Sequence, residues 1–236
     1  MDAQRGALFT KLSKEIILAA KGGSADPEAN YRLKMAVEKA RENNVPQENI
    51  KRAIARATHA DGEKNIEEIR YEGYGPAGVA AVVDAATDNR NRTASELRFL
   101  FSRHGGALGE TGGVAWMFEP RGLLEVEHGA LDEDGLVEAA LVEGVIDARY
   151  DDGSEDGRSV VSTEPTALAA VRDALAGRGL RVTGMVLGVE PKTTVSPAGD
   201  DLRAVVSFLD ALEEHEDVQR VYSNVALDLA QLEALA

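Results

Sequence analysis

The chain has 236 residues, with 26 Lys and Arg against 41 Asp and Glu, and a formal net charge of −15. Apolar residues make up 44% and charged residues 28%, a composition typical of globular proteins that excludes a disordered chain. The absence of cysteine excludes disulfides, zinc–thiolate sites and a thiol nucleophile. No apolar stretch approaches the roughly 18 residues that a membrane span requires, and the N-terminus lacks a signal-peptide core, so we expect a cytoplasmic protein.

Charge is distributed unevenly along the chain. Residues 1–60 contain eleven Lys and Arg against seven Asp and Glu, a net +4, whereas the remainder contains 15 against 34, a net −19. The change falls near residues 60–62, where Ala-Asp-Gly is typical of a turn. Because an acidic chain repels phosphate as a whole, any nucleic-acid role has to depend on the basic N-terminal segment.

The basic segment is predicted to form three amphipathic helices. Apolar residues recur at three- and four-residue steps over residues 8–20, and Gly22-Gly23 ends this first helix. Asp26 and Pro27 are typical of an N-cap and a first-turn proline, and they start the second helix. Pro46 opens the third. Short connections between such helices predict a small helical bundle.

The cations of this segment lie off the apolar stripes. Lys14 and Lys21 are seven residues apart and share one helix face, and Arg52 and Arg56 share another at a spacing of four. Most Lys and Arg on solvated faces need no function. Together, however, they indicate a surface that tracks a phosphate backbone, because phosphate neutralisation is a summed effect.

From Ile69 the periodicity changes and predicts two small α/β lobes. The elements predicted for the first lobe are strands at 69–72, 79–83, 114–118, 122–126 and 218–222, a helix begun by the capping box Thr93–Glu96, and a helix over 202–212. The intervening residues predict a second sandwich inserted into the first. Its predicted elements are helices near 136–141 and 168–175 and strands near 145–149, 158–162 and 180–187.

The predicted fold class is therefore α+β, a helical N-terminal bundle followed by two small α/β sandwich domains, one inserted in the other. The predicted domains are a helical basic domain over 1–60, an α/β domain over 61–129 plus 191–236, and an inserted α/β domain over 130–190.

No motif predicts catalysis, a metal or a cofactor. Gly106, Gly109 and Gly112 follow a helix and precede a strand, the reverse of the dinucleotide fingerprint, so we interpret them as loop geometry. The acidic run 152–157 resembles a calcium loop but places Thr163 where that loop requires a bidentate Glu, and we interpret it as a turn between strands. The four histidines share no spacing typical of ligands. An enzyme is the least favoured class of protein.

The polar segment Asp88–Thr93 is a further candidate contact. It is predicted as a loop between a strand and a capped helix, and its two Arg and two Asn present hydrogen-bond donors suited to phosphate or a sugar edge. The alternative is a solvated loop whose Thr93 only caps the helix.

Several segments together resemble the YebC/PmpR family, which includes a mitochondrial translational activator. The matching segments are Asp2–Gly6 with Phe9–Lys11, Gly23–Asn30, Asn43–Pro46, Tyr71–Gly78, Thr87–Thr93, His104–Gly106 with Trp116–Phe118, and Val221–Asn224. They occur in family order and span almost the whole chain.

The resemblance implies three domains, one helical and two α/β with one inserted in the other. It also implies a cytoplasmic DNA-binding transcriptional regulator or, alternatively, a ribosome-associated translation factor that acts at difficult, proline-rich stretches, with no enzyme activity or cofactor. The chain departs from the family pattern at its start. The resemblance places a basic leader with Gly-His-Ser-Lys-Trp upstream of the motif that begins at Asp2 here, so we expect either a shortened start or a member with weakened electrostatic attraction. Positions that are often basic in the family are Gln4 and Ala7 in this sequence.

The first hypothesis is therefore a non-enzymatic regulator of gene expression that binds DNA or ribosomal RNA. The candidate nucleic-acid contacts are Arg5, Lys11, Lys14, Lys21, Lys34, Arg41, Lys51, Arg52, Arg56, Asn89, Arg90, Asn91 and Arg92. No catalytic residue, metal ligand, cofactor or membrane contact is predicted. A protein–protein adaptor whose acidic lobes dock on a basic partner is the second hypothesis, and a small-molecule enzyme on those lobes is the third.

Overall fold

The computed structural model describes residues 2–58, 65–151 and 157–227. The chain divides into two compact units, Met1–Phe118 with Pro191–Ala236, and Glu119–Glu190. The turn predicted at 60–62 and most of the acidic turn predicted at 152–157 lie outside the described residues. Among the described helices, none combines the length and the apolar character that crossing a membrane would need.

Three helices open the first unit: α1 (Asp2–Lys21), α2 (Tyr31–Glu42) and α3 (Gln47–Thr58). Their apolar stripes meet in one core, which includes Leu12, Ile16, Leu33, Val37 and Ile50. Helix α1 packs against α2 and α3 and also contacts the sheet that follows. The helical bundle is thus confirmed, with α1 as its central element.

The start of α2 differs from the sequence prediction. Asp26 does not cap a helix; its carboxylate accepts the Glu28 N–H at 3.0 Å and its carbonyl accepts the Ala29 N–H at 3.0 Å, which closes a turn. Asn30 is the N-cap instead, and its side chain accepts the Leu33 N–H at 3.1 Å. The same Asn30 amide donates to the carbonyls of α1 and its following loop, so this cap also fixes α2 onto α1.

The first sheet follows the bundle in the same unit. Its strands are β1 (Glu67–Tyr74), β2 (Ala80–Thr87), β3 (Ala107–Leu108) and β8 (Val218–Ser223), in the order β3-β1-β2-β8 with antiparallel pairing throughout. Helices α4 (Arg90–Arg103) and α7 (Gly199–Glu213) join its core, where Phe101 and Phe208 meet edge to face with ring centroids 4.9 Å apart. Sheet and helices form the predicted two-layer arrangement.

The second unit holds the inserted sheet. It contains β4 (Phe118–Glu127), α5 (Glu133–Ala139), β5 (Val145–Arg149), β6 (Arg158–Thr163), α6 (Leu168–Gly177) and β7 (Arg181–Pro191), with strand order β5-β6-β4-β7. Buried residues of both helices and three strands make its core, among them Leu124, Leu136, Val161 and Leu175.

Three further assignments are corrected by the structure. Residues 114–117 do not form a strand, because Ala115–Met117 is a 3₁₀ turn. The strand predicted at 122–126 belongs to β4 and pairs with β6 in the second sheet, not with the first. Helix α4 begins at Arg90 rather than Thr93, with Asn89 as its N-cap. The α+β fold class is confirmed, while the three-domain division at residues 60, 129 and 190 stays a prediction.

Candidate nucleic-acid interface

A fully buried carboxylate, Asp217, lies where α1, α4 and the start of β8 meet. Lys14 of α1 donates to its Oδ1, and Arg92 of α4 donates to both carboxylate oxygens at 3.1 and 2.8 Å. The Thr93 hydroxyl donates to Oδ2 at 2.6 Å. Burial alone would raise the pKa of Asp217, but the hydrogen bonds from Lys14, Thr93 and Arg92 outweigh it and lower the pKa to about 2. The carboxylate is therefore ionised and joins the helical bundle to the first sheet.

This cluster accounts for two of the sequence candidates. Lys14 is only 11% exposed, and its ammonium also donates to the Glu216 carbonyl at 3.1 Å. Arg92 has Asp88 and Glu96 near it as well, at 3.5 and 3.9 Å. Both cations are engaged with carboxylates of the protein itself. Asp217 was missed at the sequence level because its partners lie 124 to 203 residues away, where no local pattern reports them.

The other lysines of α1 also bind within the protein. Lys11 donates to the Glu213 carbonyl at the end of α7 at 2.6 Å, and burial, opposed by the Glu213 carboxylate, lowers the pKa of Lys11. Lys21 donates to the Asn65 side chain and, at 3.1 Å, to the Ile66 carbonyl. Arg5 is exposed, with its guanidinium carbon 5.3 Å from the centroid of the Phe9 ring. Lys11, Lys14 and Lys21 thus fasten α1 to neighbouring parts of its own unit.

The candidates on α2 and α3 lie on the two helices that pack against α1. Lys34 pairs with Glu28 at 3.3 Å, and Lys51 pairs with Glu48 at 3.1 Å. Arg41, in the last turn of α2, and Arg52, in the second turn of α3, are exposed and have no ion-pair partner in the described part of the chain. We call Arg41, Lys51 and Arg52, the three exposed cations nearest in sequence to the α2–α3 connection, the α2–α3 surface.

Asn89 to Arg92 form the N-cap and first turn of α4 rather than a loop. The Asn89 side chain accepts the Arg92 N–H at 3.2 Å, while the exposed Arg90 lies 3.8 Å from Glu67. Asn91 is exposed. Because Asn89 already caps the helix, its donors and acceptor are partly committed to the fold.

A cleft of about 400 Å³ opens between the helical bundle and the start of α4. Its lining brings Lys14, Arg56 and Arg92 together with the carboxylate-bearing residues Asp88 and Glu216. Cations and carboxylates are mixed on these walls, so the cleft does not present a uniformly positive surface to an anion.

The glycine-rich segment after α4 surrounds a second buried carboxylate. Glu72 of β1 accepts N–H groups from Gly112, Val114 and Ala115 at 2.9, 3.0 and 2.7 Å. Burial would raise the pKa of Glu72, but these three backbone donors lower it. The donors that a phosphate would require are thus occupied by the protein's own carboxylate, in accord with the loop interpretation of these glycines.

Glu96, His215 and Asp217 are the one group of potential metal ligands within the described residues. His215 Nδ1 accepts the Asp217 N–H at 3.1 Å, which leaves Nε2 to bond Glu96 at 3.1 Å. Since both ring nitrogens and the Asp217 carboxylate already have protein partners, the set is better suited to orienting the turn before β8 than to holding a cation.

Comparison with known proteins identifies the family whose domains this chain matches. Residues 1–60 match the "TACO1/YebC protein N-terminal domain" and residues 66–225 match the "TACO1/YebC second and third domain". A "probable transcriptional regulatory protein" of Pelotomaculum thermopropionicum is 49% identical over 230 residues, which cover 97% of this chain and 93% of that protein. One of the same description from Rubrobacter xylanophilus is 48% identical, covering 95% and 88%.

A solved structure shares the fold. The crystal structure of a conserved hypothetical protein from Aquifex aeolicus is 40% identical and superposes with a TM-score of 0.85, covering 98% of this chain and 94% of that one. The family models together span nearly the whole chain. The chain belongs to the TACO1/YebC family.

Proposed function

We propose that this protein is a non-enzymatic regulator of gene expression that binds nucleic acid through its helical bundle. The names of its relatives support a regulatory role. The net +4 of residues 1–60 in a chain of −15 supports the bundle as the part that meets phosphate.

The α2–α3 surface is the observation that carries the proposal. Lys14 and Arg92 are engaged with Asp217, and Lys11 and Lys21 bind acceptors within their own unit. Arg41 and Arg52 are exposed without a carboxylate partner among the described residues, and Lys51 has only the weak, exposed pair with Glu48. Phosphate oxygens can therefore compete for these three cations at little cost.

Salt dependence tests the proposal. Each phosphate neutralised on duplex DNA contributes about −0.9 to the slope of log K against log salt. We expect Arg41→Gln with Arg52→Gln to make that slope shallower by about 1.8 and to weaken binding similarly for unrelated sequences. The measurement is fluorescence anisotropy of labelled duplex DNA and of a ribosomal RNA fragment over a series of salt concentrations.

Arg98→Gln is the matched control for this experiment. Arg98 is an exposed helical arginine on α4, outside the bundle, so its replacement changes the net charge without touching the α2–α3 surface. If the double variant and this control alter the slope equally, or if the wild-type chain binds neither polymer, the proposal is wrong.

Ribosomal RNA is the second candidate target, favoured by the charge of the remaining chain. A net −19 outside the first 60 residues disfavours lying along duplex DNA, but it is tolerated when only the helical end contacts an RNA pocket. Sedimentation through a gradient with and without ribosomes separates the two targets. Co-migration that the Arg41 and Arg52 substitutions abolish would select the ribosome, while sedimentation as free protein would exclude it and leave DNA to the anisotropy measurement.

A further inference from the structure

An exposed aromatic surface lies outside the helical bundle. It combines Tyr74, the last residue of β1, with the 3₁₀ turn Ala115–Met117. Trp116, the single tryptophan of the chain, is 66% exposed, and Tyr74 is 40% exposed. Tyr74 contacts Met117 through its hydroxyl, 3.8 Å from the sulfur, and the Lys192 ammonium donates to the Trp116 carbonyl at 2.8 Å. We call Tyr74, Trp116, Met117 and Lys192 the aromatic platform.

The platform is held in place by the fold. Trp116 follows a glycine turn and its indole Nε1 donates to the Gly113 carbonyl at 3.2 Å. The preceding residues, Val114 and Ala115, are fixed by their bonds to the buried Glu72 carboxylate. Lys192 fixes the residue after Trp116, because its backbone N–H donates to the Met117 carbonyl at 2.9 Å. Since the only polar group of the indole is already satisfied, what Trp116 offers to solvent is an apolar ring.

Charge around the platform differs from charge elsewhere in the chain. Tyr74 pairs with Ala107 of β3, so the segments that border the platform are 74–78, 104–118 and 192–198. These segments contain one acidic residue, Glu110, of the 41 in the chain, and they carry Lys192. Lys192 has no carboxylate partner within the described residues and retains two N–H donors beyond the one bonded to Trp116.

The main chain beside the platform is open to a ligand. A Cβ added at Gly105 or Gly112 would meet no atom within 4 Å, so both positions face open space. Both have positive φ, +78° and +86°, which keeps side chains disfavoured there. A polymer can therefore approach the backbone at these two glycines.

We propose that the aromatic platform stacks unpaired bases of single-stranded nucleic acid, with Lys192 neutralising an adjacent phosphate. Exposed rings beside a cation that has no ion-pair partner in the described structure are a pattern by which proteins hold single strands, because every base has a π-face. Bases within a duplex are stacked on each other and cannot be reached in this way. This inference rests on the proposed nucleic-acid function and adds to it the class of ligand, unpaired bases, and a second contact outside the helical bundle.

The single tryptophan makes the test direct. The full-length chain is titrated with oligouridine, oligothymidine, a blunt duplex and a proline-rich peptide, while Trp116 emission is recorded. Stacking predicts quenching by the two single strands and not by the duplex or the peptide. In parallel, anisotropy of labelled oligouridine measures the affinity without depending on Trp116.

Four variants complete the experiment. Trp116→Ala is expected to weaken oligouridine binding about 5-fold or more, the effect of losing one base–aromatic stack. Trp116→Phe should restore part of this loss, and Tyr74→Ala should weaken both binding and quenching while keeping the reporter. Phe99→Ala is the control, because Phe99 is 62% exposed on α4 but lies outside the platform, and it should bind as wild type does.

Each contrary outcome has a distinct meaning. If oligouridine binds with Trp116 emission unchanged and Trp116→Ala binds as wild type does, the platform is wrong while nucleic-acid binding stands. If the proline-rich peptide quenches Trp116 and the single strands do not, the surface is a peptide site and the inference is overturned. If no nucleic acid binds by anisotropy, the proposed function itself fails, and the inference fails with it.

Discussion

Replacing Asp217 by Asn should destabilise the first unit more than any other carboxylate-to-amide change at an ion pair described above. The folded pKa is about 2 against an ordinary 3.8, a difference that corresponds to roughly 2–3 kcal/mol of stability at neutral pH. Removing one partner of a buried pair costs roughly 3–5 kcal/mol by comparison with other proteins. We expect a loss of about 3 kcal/mol, because Lys14 would keep a buried ammonium with only the Glu216 carbonyl as a partner.

The pH dependence gives a second signature of the same charge. A carboxylate whose folded pKa is lowered stabilises the fold above its unfolded pKa and loses that contribution as pH falls through its folded pKa. For Asp217 the loss falls between about pH 4 and pH 2. The wild-type and Asp217→Asn stabilities should therefore converge as the pH falls across this window.

Urea unfolding followed by far-UV circular dichroism measures both effects, because most described helical residues lie in the unit that contains Asp217. Glu48→Gln is the control: it breaks an exposed pair with Lys51 and should cost less than about 0.5 kcal/mol. Adding Lys14→Met to Asp217→Asn should recover part of the lost free energy of unfolding, because it removes the buried Lys14 ammonium that has no carboxylate partner. A loss no larger than that of Glu48→Gln, or a difference that persists at pH 2, would refute this account.

Three further outcomes are expected. Glu72→Gln should lower the free energy of unfolding by about 1.5–3 kcal/mol, because it weakens charge-assisted hydrogen bonds from three backbone amides. Hydrogen exchange of those amides should accelerate, and unchanged protection would contradict the role assigned to the Glu72 carboxylate. Gly106→Ala should destabilise the protein, since its Cβ would clash with the Tyr74 carbonyl oxygen. Gly6→Ala on the open side of α1 should stabilise it by about 0.5–1 kcal/mol, and thermal melts in which both variants shift in the same direction would contradict one of these two assignments. Asn30→Ala should cost about 1 kcal/mol or more in urea unfolding, because this side chain caps α2 and also bonds the end of α1, and a neutral effect would show that neither contact matters.

Local patterns predicted the elements whose cores are built locally. The apolar stripe predicted over residues 8–20 is the buried side of α1 from Leu12 onward, whereas Leu8 is exposed. Leu202, Val205 and Leu212 bury the predicted face of α7. Caps were predicted less well, because several residues of a polar run compete for one role. Asp26 closes a turn, and Asn30 rather than Asp26 is the N-cap of α2. Asn89 rather than Thr93 is the N-cap of α4.

The sequence pattern does not predict which residues pair when they lie far apart along the chain. Strand β4 has an ordinary alternating pattern, and nothing in that pattern specifies which of two sheets it joins. Helical spacing likewise placed Lys14 off the apolar stripe, but it could not show that a carboxylate 203 residues later would bury the ammonium. The nucleic-acid contacts stay a prediction, now concentrated on the exposed cations of α2 and α3.

The backbone bond between Lys192 and Met117 has a consequence for how this chain can be engineered. The polypeptide leaves the first unit and returns to it at one seam, with the two crossing points joined by a 2.9 Å hydrogen bond. A tight turn grafted across that seam would reconnect the first unit without stretching either flank, so residues 119–190 behave topologically as an exchangeable cassette. Because the first sheet takes no strand from these residues, such an exchange leaves its strand order β3-β1-β2-β8 unchanged.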